Sequence, residues 1–164
     1  MEEVIVVDGS DEVIGTMTKR EAHRTGVPHR ISVTYVENEK GQFLVQIRMS
    51  GMLDHSSAGH VNPGESYLEA ATRELAEELG ITDIELTKIG HGVAATETSE
   101  NGEKRAHVFD VFHCFAEPVT LQGGGRYWAD SQEVLDDMNS HPERYSGGFL
   151  TSLPIYIGSR RNRA

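Results

Sequence analysis

Apolar and polar residues follow one another along the chain in patterns that predict strands as well as helices. The segment VIVVD, residues 4–8, is typical of a strand, and the polar GSDE after it is typical of a turn. Residues 30–48, RISVTYVENEKGQFLVQIR, predict two strands joined by a turn at Asn38–Gly41. The nearly continuous apolar run AHVFDVFHCFAE, residues 106–117, predicts a strand that is covered on both faces.

The rest of the chain alternates short helices and strands. Residues 18–26 predict a helix with Thr18 as N-cap and Gly26 past its end, and residues 50–57 predict a loop. Strands are predicted at 84–90, at 91–98 and after the glycines at 123–125, and helices at 131–139 and 147–158, the last interrupted by Pro154. Mixed strands with helices on both faces indicate an α/β fold, an α/β/α sandwich, in a single domain over residues 1–164.

One predicted helix, which follows Glu65 and ends at Gly80, carries an unusual concentration of acid. Leu68, Ala71, Leu75 and Leu79 fall on one arc of this helix and predict a buried stripe. Glu74, Glu77 and Glu78 share a face that borders the stripe, although like charges four residues apart repel each other. Two readings stay open on this pattern: a solvated acidic face, which is the commoner, and a site for a hard cation such as Mg²⁺.

Composition and charge narrow the choice of partners. The 164 residues carry a formal net charge of −11, which argues against binding to nucleic acid or to an anionic membrane. If the substrate is itself an anion, a divalent metal would have to bridge it to the protein. Cys114 is the one cysteine and is expected to be buried. The basic C-terminal segment GSRRNRA is expected to be a solvated tail. A cytoplasmic location is expected.

The spacing around the acidic helix matches a known motif. From Gly59 to Ile81 the chain reads G-x5-E-x7-R-E-U-x-E-E-x-G-U, where U is a bulky aliphatic residue. Glu65, Arg73 and Leu75 occupy their fixed positions, as do the three glutamates of the helix. This stretch resembles the Nudix box, the signature of the Nudix hydrolase superfamily, and the match favours a metal site over a solvated face.

The resemblance implies a Nudix fold, a mixed sheet between helices with a loop–helix–loop motif over residues 59–81. It further implies a hydrolase, dependent on Mg²⁺ or Mn²⁺, in which water attacks phosphorus and cleaves the pyrophosphate bond of a nucleoside-diphosphate-linked substrate. By position, the metal ligands would be Glu74, Glu77 and Glu78. The catalytic residues would be Arg73, Glu74 and Glu77, and Arg73 would act by holding the carboxylates in place. The partner is expected to be a small-molecule diphosphate, with a homodimer left open.

Outside the box, the first half of the chain resembles the isopentenyl diphosphate isomerase branch of the superfamily. Residues 1–29 correspond to an isomerase-like N-terminal extension, and the isomerases bind a metal through histidines near His23, His29 and His60. Two departures favour a hydrolase. Ala58 stands where the isomerases need a cysteine, and the isomerases have a degraded Nudix box whereas this one is complete. Their later acidic ligands would in addition fall near Arg105 and His107, which are not carboxylates. An isomerase and a non-catalytic nucleotide-binding Nudix domain remain the alternatives.

Three assignments stay open at the level of sequence. The general base is Glu74 or an acid of the loop at 95–105, namely Glu97, Glu100 or Glu103. Arg48 ends a predicted strand where this branch often has a basic residue near the diphosphate, so it is a candidate substrate ligand. The aromatic residues Phe109, Tyr127 and Trp128 could stack on a base but more often pack in a core, and the glycines at 123–125 resemble a phosphate cradle only superficially.

Overall fold

The structure is a computed structural model that describes residues 1–118 and 125–163. It begins with an antiparallel hairpin of β1 (Glu3–Val7) and β2 (Val13–Thr18). The strand β2 was not predicted from the sequence. Helix α1 (Lys19–Thr25) follows, with Thr18 as N-cap, and ends at Gly26, whose φ of 74° is a left-handed conformation that glycine adopts without strain.

The centre of the sheet is a parallel pair of long strands. Strand β3 (His29–Glu37) pairs in register with β10 (His107–Phe115) along its whole length, so that His107 lies opposite His29. Strand β7 (Thr87–Val93) pairs antiparallel with the other edge of β10, and β6 (Ser57–His60) pairs antiparallel with β3. The first residues of β3 and β10 therefore lie at one end of the sheet, beside the last residue of β6.

Shorter strands complete the sheet. Strand β4 (Phe43–Ile47) lies between β5 (Leu53–Asp54) and β11 (Gly125–Ala129), and it meets β3 through the predicted turn at residues 38–41. Strands β8 (Glu97–Thr98) and β9 (Lys104–Arg105) form a separate small hairpin. A 3₁₀ helix, Pro142–Arg144, precedes the last helix.

Helices cover both faces of this mixed sheet. Neighbouring residues of β3 point to opposite faces: Tyr35 packs in a cluster with Phe149 and Tyr156 of α4 (Gly147–Arg163), whereas Val36 packs with Leu75 of α2 (Tyr67–Leu79). Helix α3 (Ser131–Ser140) contributes Val134 and Met138 to the first cluster. The predicted α/β/α sandwich and the buried, doubly covered β10 are confirmed.

Several predictions about local structure are wrong. The two strands predicted at 84–90 and 91–98 are one strand, β7, followed by the short β8, and the predicted loop at 50–57 contains β5. Leu68 is 48 % exposed, because Ala70 takes its place in the buried stripe beside the predicted Ala71, Leu75 and Leu79. The interruption predicted at Pro154 is also wrong, since helix α4 continues through this exposed residue.

The basic C-terminus is not a solvated tail. It forms the last turns of α4, and Arg160 and Arg163 make ion pairs with the buried Glu37 of β3 at 3.7 and 3.2 Å. Cys114 is buried as predicted. Gly123 and Gly124, the first part of the GGG segment, lie outside the described residues. Within the described ranges, no helix is long and apolar enough to cross a membrane.

Candidate functional site

The acidic helix α2 is fixed firmly at both ends. Ser66 and Glu69 form a reciprocal capping box at its start, and Gly80 ends it in a left-handed conformation. Leu75 and Leu79 are fully buried against the sheet. These caps and buried contacts position the side chains on the flank of the helix next to β6.

Glu74 packs directly onto the backbone of Gly59. A Cβ atom at position 59 would lie 2.1 Å from the carboxyl carbon of Glu74, so any side chain there would have to displace the Glu74 carboxylate. This contact gives a physical reason for glycine at the first position of the box. Burial raises the pKa of Glu74, in opposition to the hydrogen bond from Arg73.

Glu78 is held by three donors. Its carboxylate accepts hydrogen bonds from Ser57 Oγ at 2.9 Å, from the backbone N–H of Ala58 at 3.3 Å and from Arg126 Nη2 at 3.2 Å. Burial, reinforced by the negative charge of Glu74, raises the pKa of Glu78 to about 7. A carboxyl with this pKa gains from a nearby cation that would stabilise its charged form.

Glu77 differs from the other two glutamates. Its side chain is 60 % exposed and lies 3.5 Å from Arg73 Nη1. Glu74 and Glu78 line the cleft described below, at 16 % and 19 % exposure, so two of the three predicted metal ligands face it together.

Arg73 ties the loop of the box to its helix. The guanidinium donates to Glu65 at 2.9 and 3.1 Å, to Glu74 at 2.6 Å and to the carbonyl oxygen of His60 at 3.0 Å. A planar guanidinium can satisfy several acceptors at once, as this one does. These contacts are those that the resemblance implies for Arg73, which would hold the carboxylates in place, and they also tie Glu65 to the helix.

A second group of metal-ligating side chains lies near the box. His23 of α1, His29 at the start of β3, His60 at the end of β6 and His107 at the start of β10 converge, with their ligand atoms within 4.8 Å of one another. The Nε2 atoms of all four are buried and have no hydrogen-bond partner among the described residues. In the part of the chain that the structure describes, these histidines, not the box carboxylates, form the group whose ligand atoms are close enough together for one ion.

The electrostatics of the four-histidine cluster favour metal ligation. Burial lowers the pKa of His23 and of His29, and burial with the charges of neighbouring histidines lowers the pKa of His60 to about 3 and of His107 to about 2. The rings are therefore neutral near pH 7, which is the form that binds metal. The Nδ1 of His29 lies 3.0 Å from the carbonyl oxygen of Val27, an arrangement that assigns the proton to Nδ1 and the lone pair to Nε2.

One cleft connects both groups. A cavity of about 400 Å³ is lined by His23, His60 and His107 and also by Glu74 and Glu78. Arg48 lines it too, with Nε and Nη2 each 2.7 Å from Asp54 Oδ2. Carboxylates, neutral imidazoles and guanidinium groups thus face a single space large enough for a small ligand.

The three loop acids considered as general base differ in whether they line the cleft. Glu97 lines the cleft and accepts a hydrogen bond from the backbone N–H of Gly147, whereas Glu100 and Glu103 lie at and beyond the turn between β8 and β9 and are not part of the lining. Of the three aromatic residues considered for stacking, Phe109 is fully buried in the core, and Tyr127 and Trp128 line a different cavity.

Sequence reasoning missed His107 and Arg126. His107 was counted as a departure from the isomerase pattern because that pattern has an acid there. A signal was present nonetheless, since His107 and His29 each open a long, buried apolar strand. No comparable signal marks Arg126, whose contact with Glu78 depends on how β11 reaches the helix.

The protein is therefore an α/β sandwich in which a loop–helix–loop motif lies beside a cleft, and the side chains that line this cleft include groups able to bind a metal. A family model of the NUDIX domain matches residues 27–143. The chain therefore belongs to the Nudix family, as its box indicates. Members of this family generally use divalent metals, and the four-histidine cluster could hold one.

Relatives within the family differ in their described activities. The chain is 30 % identical over 163 residues to an isopentenyl-diphosphate Delta-isomerase of Serratia proteamaculans, covering 93 % of this chain and 89 % of that protein. It is 34 % identical over 96 residues to an uncharacterised Nudix hydrolase of Yersinia pestis, covering 55 % and 53 %.

Solved structures support the fold. A Deinococcus radiodurans protein superposes with a TM-score of 0.69 at 23 % identity, over 91 % of this chain and 94 % of its own. A Caenorhabditis elegans Ap4A hydrolase superposes with a TM-score of 0.60 at 16 % identity, over 81 % and 98 %. At these identities the likeness shows the shared fold alone.

Proposed function

We propose that this protein is a divalent-metal-dependent Nudix hydrolase that cleaves the pyrophosphate bond of a small, nucleoside-diphosphate-linked substrate by attack of water at phosphorus. The observation that carries the proposal is the complete box with Glu74 seated on Gly59 and, with Glu78, facing the cleft. A binding domain without activity would not need all three carboxylates, and none of them is lost.

Mg²⁺ or Mn²⁺ held by Glu74 and Glu78 in the cleft, with the exposed side chain of Glu77 turned inward as a third ligand, would neutralise phosphate charge and lower the pKa of a bound water. The chain's own residues position the reactants. Arg73 restrains Glu74, the donors around Glu78 fix its carboxylate, and Arg48 offers a guanidinium to a phosphate. Glu97 is our choice for the general base because, of the three loop acids, it lines the cleft.

We further propose that the four-histidine cluster holds a second divalent ion. Four neutral imidazoles offer only nitrogen, which suits Zn²⁺ and other transition metals better than Mg²⁺. Metal analysis of the purified protein, compared with His107→Gln, tests this step. A stoichiometric transition metal that the variant loses is the expected result, and equal content in both proteins would contradict it.

Hydrolysis itself is tested with a screen of nucleoside diphosphates, nucleotide sugars, dinucleotides and prenyl diphosphates in the presence of Mg²⁺, with release of phosphate or nucleotide as the readout. Turnover should vanish in excess chelator and return with Mg²⁺. Glu78→Gln should lower the rate by several orders of magnitude while the fold stays intact, because the amide keeps the shape and removes the charge. Glu85→Gln, an exposed acid outside the cleft, is the matched control. Full turnover by the metal-stripped protein would refute the proposal.

An isopentenyl diphosphate isomerase is the second candidate. The four-histidine cluster favours it, because the branch that the chain resembles binds a metal through corresponding histidines. Several similar proteins also carry the isomerase name. Ala58 opposes it, since its methyl group can neither give nor take a proton where those enzymes have cysteine. Including isopentenyl diphosphate in the screen separates the two candidates by product.

A further inference from the structure

We propose that Arg105 is a further substrate-binding residue, whose guanidinium group donates a hydrogen bond to a phosphate oxygen of the diphosphate beside the four-histidine cluster. The inference rests on the proposed function for the chemical class of the ligand. It does not rest on the Nudix box, because Arg105 lies outside the box, in β9, two residues before His107.

The position of Arg105 in β9 directs its side chain into the cleft. Neighbouring residues of a strand point to opposite sides. The side chain of Lys104 lies against Gly26 at the end of α1, whereas that of Arg105 lines the cleft. The chain after Arg105 is joined to the central sheet, since the backbone N–H of His29 donates to the carbonyl oxygen of Ala106 at 3.0 Å. The Arg105 side chain is 35 % exposed, so its donors are accessible to a ligand in the cleft.

Among the cations of the cleft, Arg105 has the most distant carboxylate partner. Lys19, Arg48 and Arg105 are the lysine and arginine side chains that line the cleft in the part of the chain that the structure describes. Arg48 lies 2.7 Å from Asp54, and Lys19 lies 3.3 Å from a glutamate. The shortest ion pair of Arg105 among the described residues is 3.8 Å long and joins it to Glu103, which is exposed to solvent. Because a guanidinium has five N–H donors, Arg105 keeps donors for an anion that enters the cleft.

The residue opposite Arg105 in the β8–β9 hairpin is Glu97, and both side chains line the cleft. The Glu97 carboxylate is engaged elsewhere, since it accepts a hydrogen bond from the backbone N–H of Gly147 at the start of α4. The hairpin therefore places the proposed phosphate ligand and the proposed general base side by side. Water activated by Glu97 would meet a phosphate held by Arg105.

The charges around Arg105 favour an anion in this part of the cleft. Beyond burial and the neighbouring histidines, its positive charge lowers the pKa of His23, His60 and His107, so the guanidinium lies near the cluster. Four neutral imidazoles bring no negative charge, and a divalent ion bound by them would keep its whole charge and repel the guanidinium. An anion in contact with both would offset this repulsion. A phosphate group is the anion that the proposed reaction supplies, and arginine binds phosphate through short, charge-assisted hydrogen bonds.

The test uses inorganic pyrophosphate with Mg²⁺ as the probe and NMR of ¹⁵N-arginine-labelled protein as the readout. The Nε signal of Arg105 is assigned by its loss in Arg105→Lys. Addition of pyrophosphate should shift this signal and leave that of Arg161, an exposed arginine of α4 outside the cleft lining, unchanged. An Arg105 signal that does not move at saturating pyrophosphate would overturn the proposal, because a guanidinium that is only solvated has no reason to respond.

Binding and kinetics provide the second arm. For Arg105→Gln we expect the dissociation constant for pyrophosphate and the KM for the diphosphate substrate to rise about tenfold, with kcat changed much less. Arg105→Lys should recover part of the loss, because an ammonium keeps the charge but not the planar set of donors. Arg161→Gln, which removes one guanidinium from another surface, is the matched control and should bind pyrophosphate as wild type does.

The outcomes separate this role from the proposed function. Should Arg105→Gln fail to fold, the comparison of Arg105→Lys with wild type and the NMR shift decide. Wild-type turnover with unaltered pyrophosphate binding in both Arg105 variants would refute the role of Arg105 alone. Weakened pyrophosphate binding in these variants, without turnover of any screened substrate by wild type, would refute the hydrolase alone.

Discussion

Removing the charge of Glu37 should lower the free energy of unfolding at neutral pH. The effect should disappear as the pH becomes acidic. Glu37 is 5 % exposed at the end of β3 and accepts hydrogen bonds from His113 at 3.0 Å, Tyr156 at 2.8 Å and Arg163 at 3.2 Å. Burial alone would raise the pKa of Glu37, but these hydrogen bonds and the charge of Arg160 outweigh it and lower the pKa to about 2. The carboxylate therefore fastens the C-terminal helix to the central strand.

The magnitude follows from linkage. A carboxyl whose pKa falls from 4.5 to about 2 on folding contributes about 3 kcal/mol to the free energy of unfolding, at about 1.36 kcal/mol per pKa unit. Because the folded-state pKa is the lower one, this contribution is fully present above about pH 5 and is lost as the pH falls through 4.5 toward 2. Glu37→Gln should lower the unfolding free energy by about 2–3 kcal/mol near pH 7, and the difference from wild type should shrink toward zero as the pH approaches 2.

Urea unfolding followed by circular dichroism at several pH values between about 7 and 2.5 measures this difference. Comparing wild type with Glu37→Gln cancels the other carboxyl groups, which also titrate in this range. Glu39→Gln, an exposed acid in the adjoining turn, controls for the loss of one negative charge. If the difference in unfolding free energy between wild type and Glu37→Gln is the same at acid and neutral pH, the charge of Glu37 does not stabilise the packing of α4 on β3.

Three further predictions concern the cleft. Gly59→Ala should displace the Glu74 carboxylate, lower turnover at least tenfold and reduce the free energy of unfolding by about 1–3 kcal/mol. Wild-type kinetics in this variant would show that the contact between Gly59 and Glu74 is not needed for activity. Glu97→Gln should lower kcat by at least about a hundredfold, whereas Glu100→Gln should leave it near wild type, and equal effects would remove Glu97 as the base. Addition of Zn²⁺ to the metal-free protein should raise its melting temperature, less so in His107→Gln, and an unchanged temperature would argue against the four-histidine ion.

The parts of the fold that local chemistry determines could be predicted from the sequence. Helix α2 ends at Gly80 as predicted, and β10 is buried on both faces as its apolar run predicts. The box carboxylates could also be located, since three residues on one helix keep a fixed relation whatever the rest of the chain does. Only the outward turn of Glu77 required the structure, because it depends on which flank of the helix meets β6.

Features that join distant segments could not be predicted in this way. The four histidines come from α1, β3, β6 and β10 and meet because β3 and β10 run parallel in register, a pairing that no local pattern specifies. The C-terminal arginines were interpreted as a solvated tail for the same reason: Glu37, their partner, lies 126 residues away from Arg163 in the chain. Charge runs are usually solvated, and only the buried acid on the neighbouring strand makes this one structural.

The four-histidine cluster and the complete box point to different reactions, and position 58 decides between them. Alkene isomerisation needs one group to give a proton and another to take one on opposite faces of the double bond. Ala58 pairs with Val33 in the sheet, and its backbone N–H donates to Glu78, so its methyl group supplies neither function. We therefore expect no dimethylallyl diphosphate from isopentenyl diphosphate, and no deuterium uptake into the substrate in D₂O as followed by NMR.

The same preparation must hydrolyse a diphosphate from the screen, so that an inactive sample is not mistaken for a negative result. Ala58→Cys is the matched variant: it restores the thiol while the metal ligands and Arg48 stay in place. Deuterium uptake in Ala58→Cys but not in wild type would show that one missing thiol separates this chain from its isomerase relatives. Enzyme-like isomerisation by wild type would overturn the hydrolase assignment, because the proton would then come from a group other than residue 58, and the complete box would no longer indicate the reaction.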